Sequence, residues 1–319
     1  MNTDTPLLEL DNIHVVYKAG QGQKIPAVSG VSFRIAKGET LWLVGESGCG
    51  KSSVARAVMQ LPRPTSGRVL FRGRDLTRLN AKDLLDIRPR FQMVFQDSVS
   101  ALNPRKPVGK TIAKPLKITG KNSRAQREHL VKEMGEQVGL DPGLFGHKPH
   151  HFSGGQCQRI QFARALMTRP ELLVCDEPVS SLDVSIQAQI LNLLDSLRKQ
   201  YKLTMLFISH DLAVIKNVSD RVAVMYLGKI CEIASCETLF DRPAHPYTMA
   251  LLSSLSQTDP ARPPKKPNLL GGELPSPLQP PSGCRFRTRC PQAREKCASA
   301  EPVERDIGGG HVAACRYSE

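Results

Sequence analysis

The segment GESGCGKS at residues 45–52 has the spacing G-x-x-x-x-G-K-S, which is typical of a loop that binds phosphate groups. Its glycines let the backbone pass close to phosphate oxygens, with successive N–H groups pointing toward the anion. Lys51 would neutralise the β- and γ-phosphates of a nucleotide, and the Ser52 hydroxyl would ligate Mg²⁺. The predicted nucleotide contacts are Gly45, Glu46, Ser47, Gly48, Cys49, Gly50, Lys51, Ser52 and Ser53.

Two acidic residues end an apolar segment, LLVCDE, at residues 172–177. Asp176 has the type and position to hold Mg²⁺, directly or through water. Glu177 could polarise a water molecule that attacks the γ-phosphate. Two adjacent acids can also be the exposed start of a loop, but the phosphate-binding loop earlier in the chain favours the catalytic interpretation.

A second glycine pair lies in SGGQ at residues 153–156. Ser153, together with the backbone of Gly154 and Gly155, could bind a phosphate group at the N-terminus of the helix that follows. We predict that helix over about Gln156–Met167.

The elements around the phosphate-binding loop follow the order that such a loop requires. Thr40–Val44 is an apolar run that predicts a strand, and Ser52–Leu61 has helical character until Pro62 ends it. A strand, a glycine-rich loop and a helix in this order are the context of phosphate-binding loops. Further strands are predicted at Leu7–Tyr17, Ala27–Ile35, Gly67–Arg72, Leu172–Asp176 and Thr204–Ile208, with a hairpin of Arg221–Leu227 and Lys229–Ala234 joined at Gly228.

Three later segments differ in character from this α/β core. From about Pro104 to His151 the sequence is charged and helix-prone, which predicts a helical subdomain inserted into the core, and another helix is predicted at Ser185–Tyr201. After about Ser256 the sequence is rich in proline and glycine, a composition typical of linkers. The region from Cys284 to Cys315 has too few large apolar residues to hold a core unaided.

The motifs, taken in order, resemble those of the ATP-binding subunit of an ABC transporter. SGGQ stands shortly before the LLVCDE strand, and SSLD at 180–183 and SHD at 209–211 follow it. The resemblance implies an α/β fold of the ABC-type P-loop ATPase, with a RecA-like core, an antiparallel β-subdomain and an inserted helical subdomain near residues 97–155. It implies an ATPase domain over residues 1–255, and a linker with a small cysteine-rich C-terminal extension over residues 256–319.

The same resemblance implies roles for single residues. Gln96, in VFQD, would contact Mg²⁺ and the attacking water and would sense the membrane subunit. His210 would contact the γ-phosphate, Asp183 would communicate across a dimer, and Tyr17 would stack on adenine. The signature residues would close over the ATP held by a partner's P-loop, so that two active sites form only in the closed dimer; these residues are Ser153, Gly154, Gly155 and Gln156.

This chain departs from the family's usual residues at a few positions. Phe152 replaces the usual leucine before SGGQ, Cys157 stands where arginine or glutamine is common, and Ser181 replaces the commoner alanine. None of these changes removes a catalytic group. Cys49 inside the phosphate loop predicts inhibition by thiol reagents, with protection by bound ATP.

The C-terminal part indicates a branch of the family. HPYTMALL at 245–252 and the following GGELPSPLQPPSGCRFRTRC resemble the extension of dipeptide and oligopeptide importer ATPases. Importers of nickel, metal chelates, glutathione and opines share much of this pattern, and FQMVFQDSVSALNPRK also resembles nickel-importer subunits. Peptide is the preferred cargo because the complete extension is present.

Four cysteines of the extension could hold a metal. Cys284, Cys290, Cys297 and Cys315 follow the spacing C-x5-C-x6-C-x17-C. Four thiolates in a small module with few apolar residues suit a metal ion that cross-links the chain. Zinc, however, usually binds cysteine pairs that are closer together in sequence than these. Cys₄ ligation also suits a [4Fe–4S] cluster, which the peptide-importer resemblance implies. We therefore rank the cluster first, zinc second and free thiols third, with a structural role.

Composition limits where the protein acts. The chain has a formal net charge of +14, 40% hydrophobic residues and 5% aromatic residues. It has no apolar run near the roughly 18 residues that span a bilayer, and its N-terminal sequence does not read as a secretory signal. We expect a peripheral protein on the cytoplasmic face of the inner membrane, where basic surface favours anionic lipid.

The resemblance also implies partners: a second ATPase, expected to form a heterodimer, two permease subunits and an extracytoplasmic substrate-binding protein. We expect no nucleic-acid partner. A soluble ABC ATPase acting on DNA or ribosomes is the alternative of another class, but this chain has one cassette and no heptad run. A non-hydrolysing regulatory subunit is disfavoured because Lys51, Glu177 and His210 are present.

Overall fold

The computed structural model describes residues 5–18, 20–120, 122–211, 219–255 and 274–318. The strands in chain order are β1 (Leu8–Lys18), β2 (Lys24–Ile35), β3 (Thr40–Val44), β4 (Ser66–Phe71), β5 (Arg74–Asp75), β6 (Phe91–Val94), β7 (Leu172–Asp176), β8 (Thr204–Ser209), β9 (Arg221–Tyr226), β10 (Lys229–Ser235), β11 (Arg305–Asp306) and β12 (Val312–Ala313). The helices are α1 (Lys51–Val58), α2 (Ala81–Ile87), α3 (Val108–Ile112), α4 (Lys114–Thr119), α5 (Arg124–Gln137), α6 (Gly154–Leu166), α7 (Val184–Tyr201), α8 (Cys236–Asp241), α9 (Pro246–Leu255) and α10 (Lys296–Ser299).

The chain forms two compact units. The first comprises Met1–Ile35, Thr40–Thr77 and Ser209–Glu319, and the second comprises Ala36–Glu39 and Arg78–Ile208. The predicted linker falls largely on residues 256–273, which lie outside the described residues, as does the predicted boundary between residues 255 and 256.

The first unit contains an antiparallel sheet in the order β2-β1-β4-β5. Leu8 pairs with Ile35 of β2 on one side and with Phe71 of β4 on the other, and all three side chains are fully buried. Buried β-branched and aromatic side chains on one face stabilise such a sheet. Its second strand is three residues longer at its start than the predicted Ala27–Ile35.

A second set of strands in this unit runs in the order β3-β9-β10-β12-β11. β3 is parallel to β9, and every residue of β3 is buried. The predicted hairpin is present, since β9 and β10 are antiparallel neighbours. Leu227 and Gly228 connect them, and both have positive φ, as a two-residue type I′ turn requires. The C-terminal region adds β12 to β10, with Glu232 opposite Ala313, which the sequence had not indicated. The cysteine-bearing region is thereby joined to this set of strands in the first unit.

The second unit contains the parallel strands β6, β7 and β8 in that order. Their residues are almost all buried and mostly apolar, the pattern of parallel strands covered on both faces. Helices α3, α4 and α5 lie in the range that the sequence predicts to be helical. Helix α5 begins with a capping box, in which Ser123 and Gln126 satisfy each other's backbone N–H groups.

Candidate functional site

The phosphate-binding loop connects β3 to α1 in the first unit, in the predicted strand–loop–helix order. Its glycines are required by close backbone approaches. A Cβ at Gly45 would lie 2.1 Å from the Met225 carbonyl oxygen, and a Cβ at Gly50 would lie 2.2 Å from the Ala27 carbonyl oxygen. The Cys49 carbonyl oxygen accepts a hydrogen bond of 2.8 Å from the Gly228 N–H. The loop is therefore held against β2, β9 and the hairpin turn.

The two central glycines of the loop provide a matched test. Gly48 and Gly50 both have positive φ, at +79° and +107°, so alanine at either position carries a backbone strain of about 1–2 kcal/mol. Only at Gly50 would the added Cβ also meet a backbone oxygen, whereas Gly48 faces open space. We expect Gly50→Ala to lower the free energy of unfolding by about 1–3 kcal/mol more than Gly48→Ala, measured by denaturant titration without nucleotide. Equal stabilities of the two variants would contradict this description of the loop.

The Lys51 ammonium group lies inside the curve of the loop. It donates hydrogen bonds of 2.7 Å to the Gly45 carbonyl and 3.0 Å to the Glu46 carbonyl, and its side chain is almost fully buried. Ser52 and Ser53 follow on the first turn of α1 and are half-buried. A positive charge, a helix N-terminus and glycine N–H groups are therefore grouped at one place, which is suited to binding the phosphates of a nucleotide.

Cys49 is buried within the loop, which the sequence did not indicate. Its side chain is 1% exposed, and burial raises the pKa of the thiol although the nearby Lys51 ammonium lowers it. Since the thiolate is the reactive form, a raised pKa leaves less of it at any given pH. The predicted sensitivity to thiol reagents is therefore a slow reaction.

We expect alkylation of Cys49 at about pH 8 to be slower than that of a small free thiol, with a rate that still rises above about pH 9. The measurement is the mass-spectrometric rate of modification by N-ethylmaleimide across this pH range, with and without MgATP. Modification of Cys49 at the rate of a free thiol would contradict its burial.

Glu46, the second residue of the loop, is held by the C-terminal part of the first unit. Its N–H donates a 2.9 Å hydrogen bond to the Tyr247 hydroxyl. The Tyr247 N–H in turn donates to His245 Nδ1 at 3.0 Å, and burial lowers the pKa of His245 to about 4, which keeps that nitrogen an acceptor. The Glu46 carboxylate pairs with Arg289 at 2.7 and 3.0 Å. The HPY segment and the cysteine-bearing region are therefore in direct contact with the phosphate-binding loop.

Two other predicted nucleotide contacts lie in the first unit. Tyr17 is near the end of β1 and is half-buried, and its buried hydroxyl has no hydrogen-bond partner among the described residues. His210 is exposed directly after β8.

The second unit brings the predicted catalytic carboxylate next to the predicted glutamine. Gln96 Nε2 donates a 2.9 Å hydrogen bond to Glu177 Oε2. This contact follows from the topology, because β6 and β7 are parallel neighbours and both residues lie just beyond the carboxyl ends of these strands. Asp176, the last residue of β7, is 3% exposed. The arrangement suits a carboxylate that polarises water beside a buried acid that holds Mg²⁺.

The backbone around Glu177 is unusual. Glu177 has φ +46°, in the left-handed region that non-glycine residues rarely adopt, and its N–H donates to the Ile208 carbonyl at 3.0 Å. Such strain is characteristic of functional positions. Nothing in the local sequence predicts this backbone conformation.

Gln161, which sequence reasoning missed, supports Gln96. Its side chain is fully buried on α6 and accepts from the Phe95 N–H at 3.1 Å while donating to the Phe95 carbonyl at 3.3 Å. This pair of hydrogen bonds fixes the backbone immediately before Gln96. The available sequence signal was a glutamine between two large apolar residues, Ile160 and Phe162, in the helix that follows SGGQ.

The SGGQ segment forms the start of α6 with a capping box. Ser153 Oγ accepts from the Gln156 N–H at 3.3 Å, and Gln156 Oε1 accepts from the Ser153 N–H at 3.0 Å. A Cβ at Gly155 would lie 2.8 Å from the Ile186 side chain, so this glycine packs against the segment that follows Asp183. Asp183 is exposed directly before α7. The signature and Asp183 are therefore neighbours within this unit.

The four predicted metal-ligating cysteines come together only in part. Cys284, Cys290, Cys297 and Cys315 line one cavity, and burial raises the pKa of the Cys284 and Cys290 thiols. However, no group of three or more His, Cys, Asp or Glu side chains in the described parts of the chain has an arrangement that could hold a metal ion. The donor chemistry thus suits a cluster, whereas the side-chain geometry of a ligand set is not formed.

Comparison with known families and proteins gives two family matches in separate parts of the chain. Residues 28–180 match the family described as ABC transporter, and residues 231–297 match the family described as oligopeptide/dipeptide transporter, C-terminal region. The first match includes the phosphate-binding loop and Glu177, and the second includes the HPY segment and three of the four cysteines.

Two similar proteins are the oligopeptide transport ATP-binding proteins OppF of Salmonella typhimurium and AppF of Bacillus subtilis. OppF is 49% identical over 307 residues, which cover 93% of this chain and 92% of OppF. AppF is 49% identical over 293 residues, which cover 91% of this chain and 89% of AppF.

A dimeric structure of the ATP-binding cassette MJ0796 in a post-hydrolysis state, bound to ADP and Pi, matches with a TM-score of 0.66 and 28% identity. The matched region covers 72% of this chain and 98% of the MJ0796 chain. The predicted α/β fold of the ABC-type ATPase is confirmed. Across the described residues, no helix is both long and apolar enough to cross a bilayer.

Proposed function

Because this chain belongs to the ATP-binding proteins of ABC transporters, in the branch with the oligopeptide/dipeptide C-terminal region, we propose that it hydrolyses ATP to drive peptide uptake through partner membrane subunits. The observation that carries the hydrolytic part is the 2.9 Å contact between Gln96 and Glu177 at the ends of two parallel strands. The peptide cargo is supported by the names of the relatives and by the presence of the whole extension.

The proposed roles of the phosphate-site residues follow from their chemistry. Lys51 and the N–H groups of residues 45–53 bind the nucleotide phosphates, and the Ser52 hydroxyl ligates Mg²⁺. Asp176 holds Mg²⁺ directly or through water. Tyr17 stacks on the adenine ring, and His210 contacts the γ-phosphate.

The proposed hydrolytic step is attack of water on the γ-phosphate. The Glu177 carboxylate accepts the hydrogen bond of the attacking water and polarises it. Gln96, through its amide, orients both Glu177 and that water and contacts Mg²⁺. The products are ADP and inorganic phosphate.

We place a second ATPase across the signature of this chain. Ser153, Gly154, Gly155 and Gln156 close on the nucleotide held by the partner, and Asp183 contacts the partner subunit. A dimeric relative of this fold supports such an arrangement.

We propose that the partner ATPase is a different chain, and that two permease subunits and an extracytoplasmic substrate-binding protein complete the importer. The ATPase then lies peripherally on the cytoplasmic face of the inner membrane, with an ATPase domain over residues 1–255 and the linker and extension over 256–319.

We also propose that Cys284, Cys290, Cys297 and Cys315 bind a [4Fe–4S] cluster with a structural role. Four cysteines lining one cavity in a small module support this assignment, because Cys₄ is a ligand set of such clusters. Anaerobically purified protein should show broad absorbance at about 400 nm and should contain iron and acid-labile sulfide in equal amounts. If elemental analysis finds zinc and the absorbance is missing, the cysteines bind zinc instead of the cluster. If neither iron nor zinc is found, the four cysteines are free thiols.

The experiment that tests the cargo is ATPase activity of the complex reconstituted with its permeases and binding protein. The panel contains dipeptides, oligopeptides, Ni²⁺ chelates, glutathione and an opine. Stimulation by peptides supports the proposal. Stimulation by one of the other compounds alone would keep the mechanism and replace the cargo.

A further inference from the structure

Arg289, in the cysteine-bearing region, forms a two-fold ion pair with the phosphate-binding loop. Its Nη1 lies 2.7 Å from Glu46 Oε2 and its Nη2 lies 3.0 Å from Glu46 Oε1. The Arg289 side chain is 6% exposed and that of Glu46 is 25% exposed. Two parallel N–H···O bonds between a guanidinium and a carboxylate, shielded from water, are the strong form of this interaction.

An acid at Glu46 is unfavourable for a loop that binds phosphates. The spacing G-x-x-x-x-G-K-S leaves this position open, so the phosphate chemistry does not require a carboxylate there. An unpaired negative charge in the loop would repel the anionic ligand, and like charges repel most strongly where water is excluded. A neutralising cation is therefore needed, and Arg289 is in contact with that carboxylate.

The backbone of Glu46 is held from the same side. Its N–H donates to the Tyr247 hydroxyl at 2.9 Å, and the Tyr247 ring packs at 5.3 Å between centroids against Phe286, three residues before Arg289. Arg289 Nη1 also lies 3.4 Å from the Tyr226 hydroxyl. One cluster from the C-terminal part of the chain thus fixes both the backbone and the side chain of a phosphate-loop residue.

We propose that the cysteine-bearing module, defined as residues 284–315, is part of the nucleotide site. Arg289 is its positioning residue: it neutralises Glu46 and holds the carboxylate aside, so that the folded module sets the affinity of the loop for ATP. This inference rests on the proposed ATP-binding function.

The module is attached to the rest of the first unit by contacts other than this ion pair. β12 pairs with β10, and His311 Nε2 lies 2.7 Å from the buried Glu232 carboxylate. Lys229 also pairs with Glu301. Substitution of Arg289 alone is therefore expected to leave the module in place, so that its effect on ATP binding can be measured.

The test is a double-mutant cycle of Arg289→Gln and Glu46→Gln in the full-length chain. The affinity of each variant for MgATP is measured by calorimetric titration, and all variants also carry Glu177→Gln so that hydrolysis is slow. Arg289→Gln is expected to raise Kd at least about tenfold, because it leaves Glu46 unpaired. Adding Glu46→Gln to Arg289→Gln is expected to return Kd to within about threefold of the parent, because the repelling charge is gone. The matched control is Arg287→Gln, whose guanidinium donates to Ser282 Oγ and carbonyl, and it should leave Kd unchanged.

Two results would overturn the inference while the proposed function stands. In the first, the parent binds MgATP and Arg289→Gln binds it equally well. In the second, Arg289→Gln raises the Kd for MgATP, but adding Glu46→Gln does not lower it again. A parent that does not bind MgATP would overturn the proposed function and the inference together. Should Arg289→Gln fail to give folded protein, Arg289→Met, which also removes the charge but keeps an unbranched apolar side chain, runs the same cycle. A rise in Kd that Glu46→Gln relieves supports the inference, and an unchanged Kd overturns it.

Discussion

Replacing Glu177 by glutamine is expected to lower the ATP turnover of the assembled transporter by about 10²- to 10⁴-fold, the range of a lost general base. The affinity for MgATP should stay within about threefold of the parent, because the amide keeps the shape of the side chain and removes only its charge. Gln96 can still hydrogen-bond to an amide oxygen at the position of Glu177 Oε2, so the local geometry should persist. Turnover and nucleotide affinity are measured on the same preparation.

Glu171→Gln is the matched control for this substitution. Glu171 lies directly before β7, at the opposite end of the strand from Glu177, and its carboxylate is 3.7 Å from Arg90. The control should keep parental turnover, because a half-exposed ion pair of this length contributes little to stability. Unchanged turnover in Glu177→Gln would remove this residue from the reaction and would favour a regulatory subunit that does not hydrolyse ATP.

Lys51→Ala is expected to raise the Kd for MgATP by about 100-fold or more, because it removes the cation that would face the phosphates. Lys51→Arg should not restore binding. The ammonium group occupies a space set by hydrogen bonds to the Gly45 and Glu46 carbonyl oxygens, and a planar guanidinium is larger and differently shaped. Calorimetric titration of the full-length variants measures both effects.

Arg56→Ala separates the local effect of Lys51 from a general loss of positive charge. Arg56 lies in the last turn of the same helix and is exposed. Its removal changes the net charge by the same amount as Lys51→Ala and should change Kd by less than about twofold, since exposed charges are screened by salt. Equal weakening by both variants would mean that the bulk field of the protein, rather than Lys51, binds the nucleotide.

The phosphate-binding loop and the strands around it were predictable because their signals are local. Close approach of a backbone requires glycine, and Gly45 and Gly50 lie where any Cβ would meet a carbonyl oxygen. Parallel buried strands give continuous apolar runs, as in β3 and β7. The nearness of Gln96 and Glu177 was not predictable in this way, because it follows from the pairing of β6 with β7, and neither β6 nor the sheet order was predicted from the sequence.

The missed features depend on contacts between distant segments. Arg289 and Glu46 are separated by 243 positions, and nothing in either local sequence indicates the other. β11 and β12 have two residues each, too short for an alternating pattern to be recognised. Burial of Cys49 depends on packing against elements far away in sequence, so the thiol had been expected to be more reactive than the structure indicates.

The most direct test of the account is peptide uptake into proteoliposomes that contain the two permeases, this chain, its partner ATPase and the binding protein. Accumulation of a labelled oligopeptide should require MgATP on the side of the ATPase. It should fall to background when this chain carries Glu177→Gln, while Glu171→Gln keeps parental uptake. Peptide accumulation that is independent of ATP, or ATP hydrolysis that is indifferent to peptide and binding protein, would contradict the central claim.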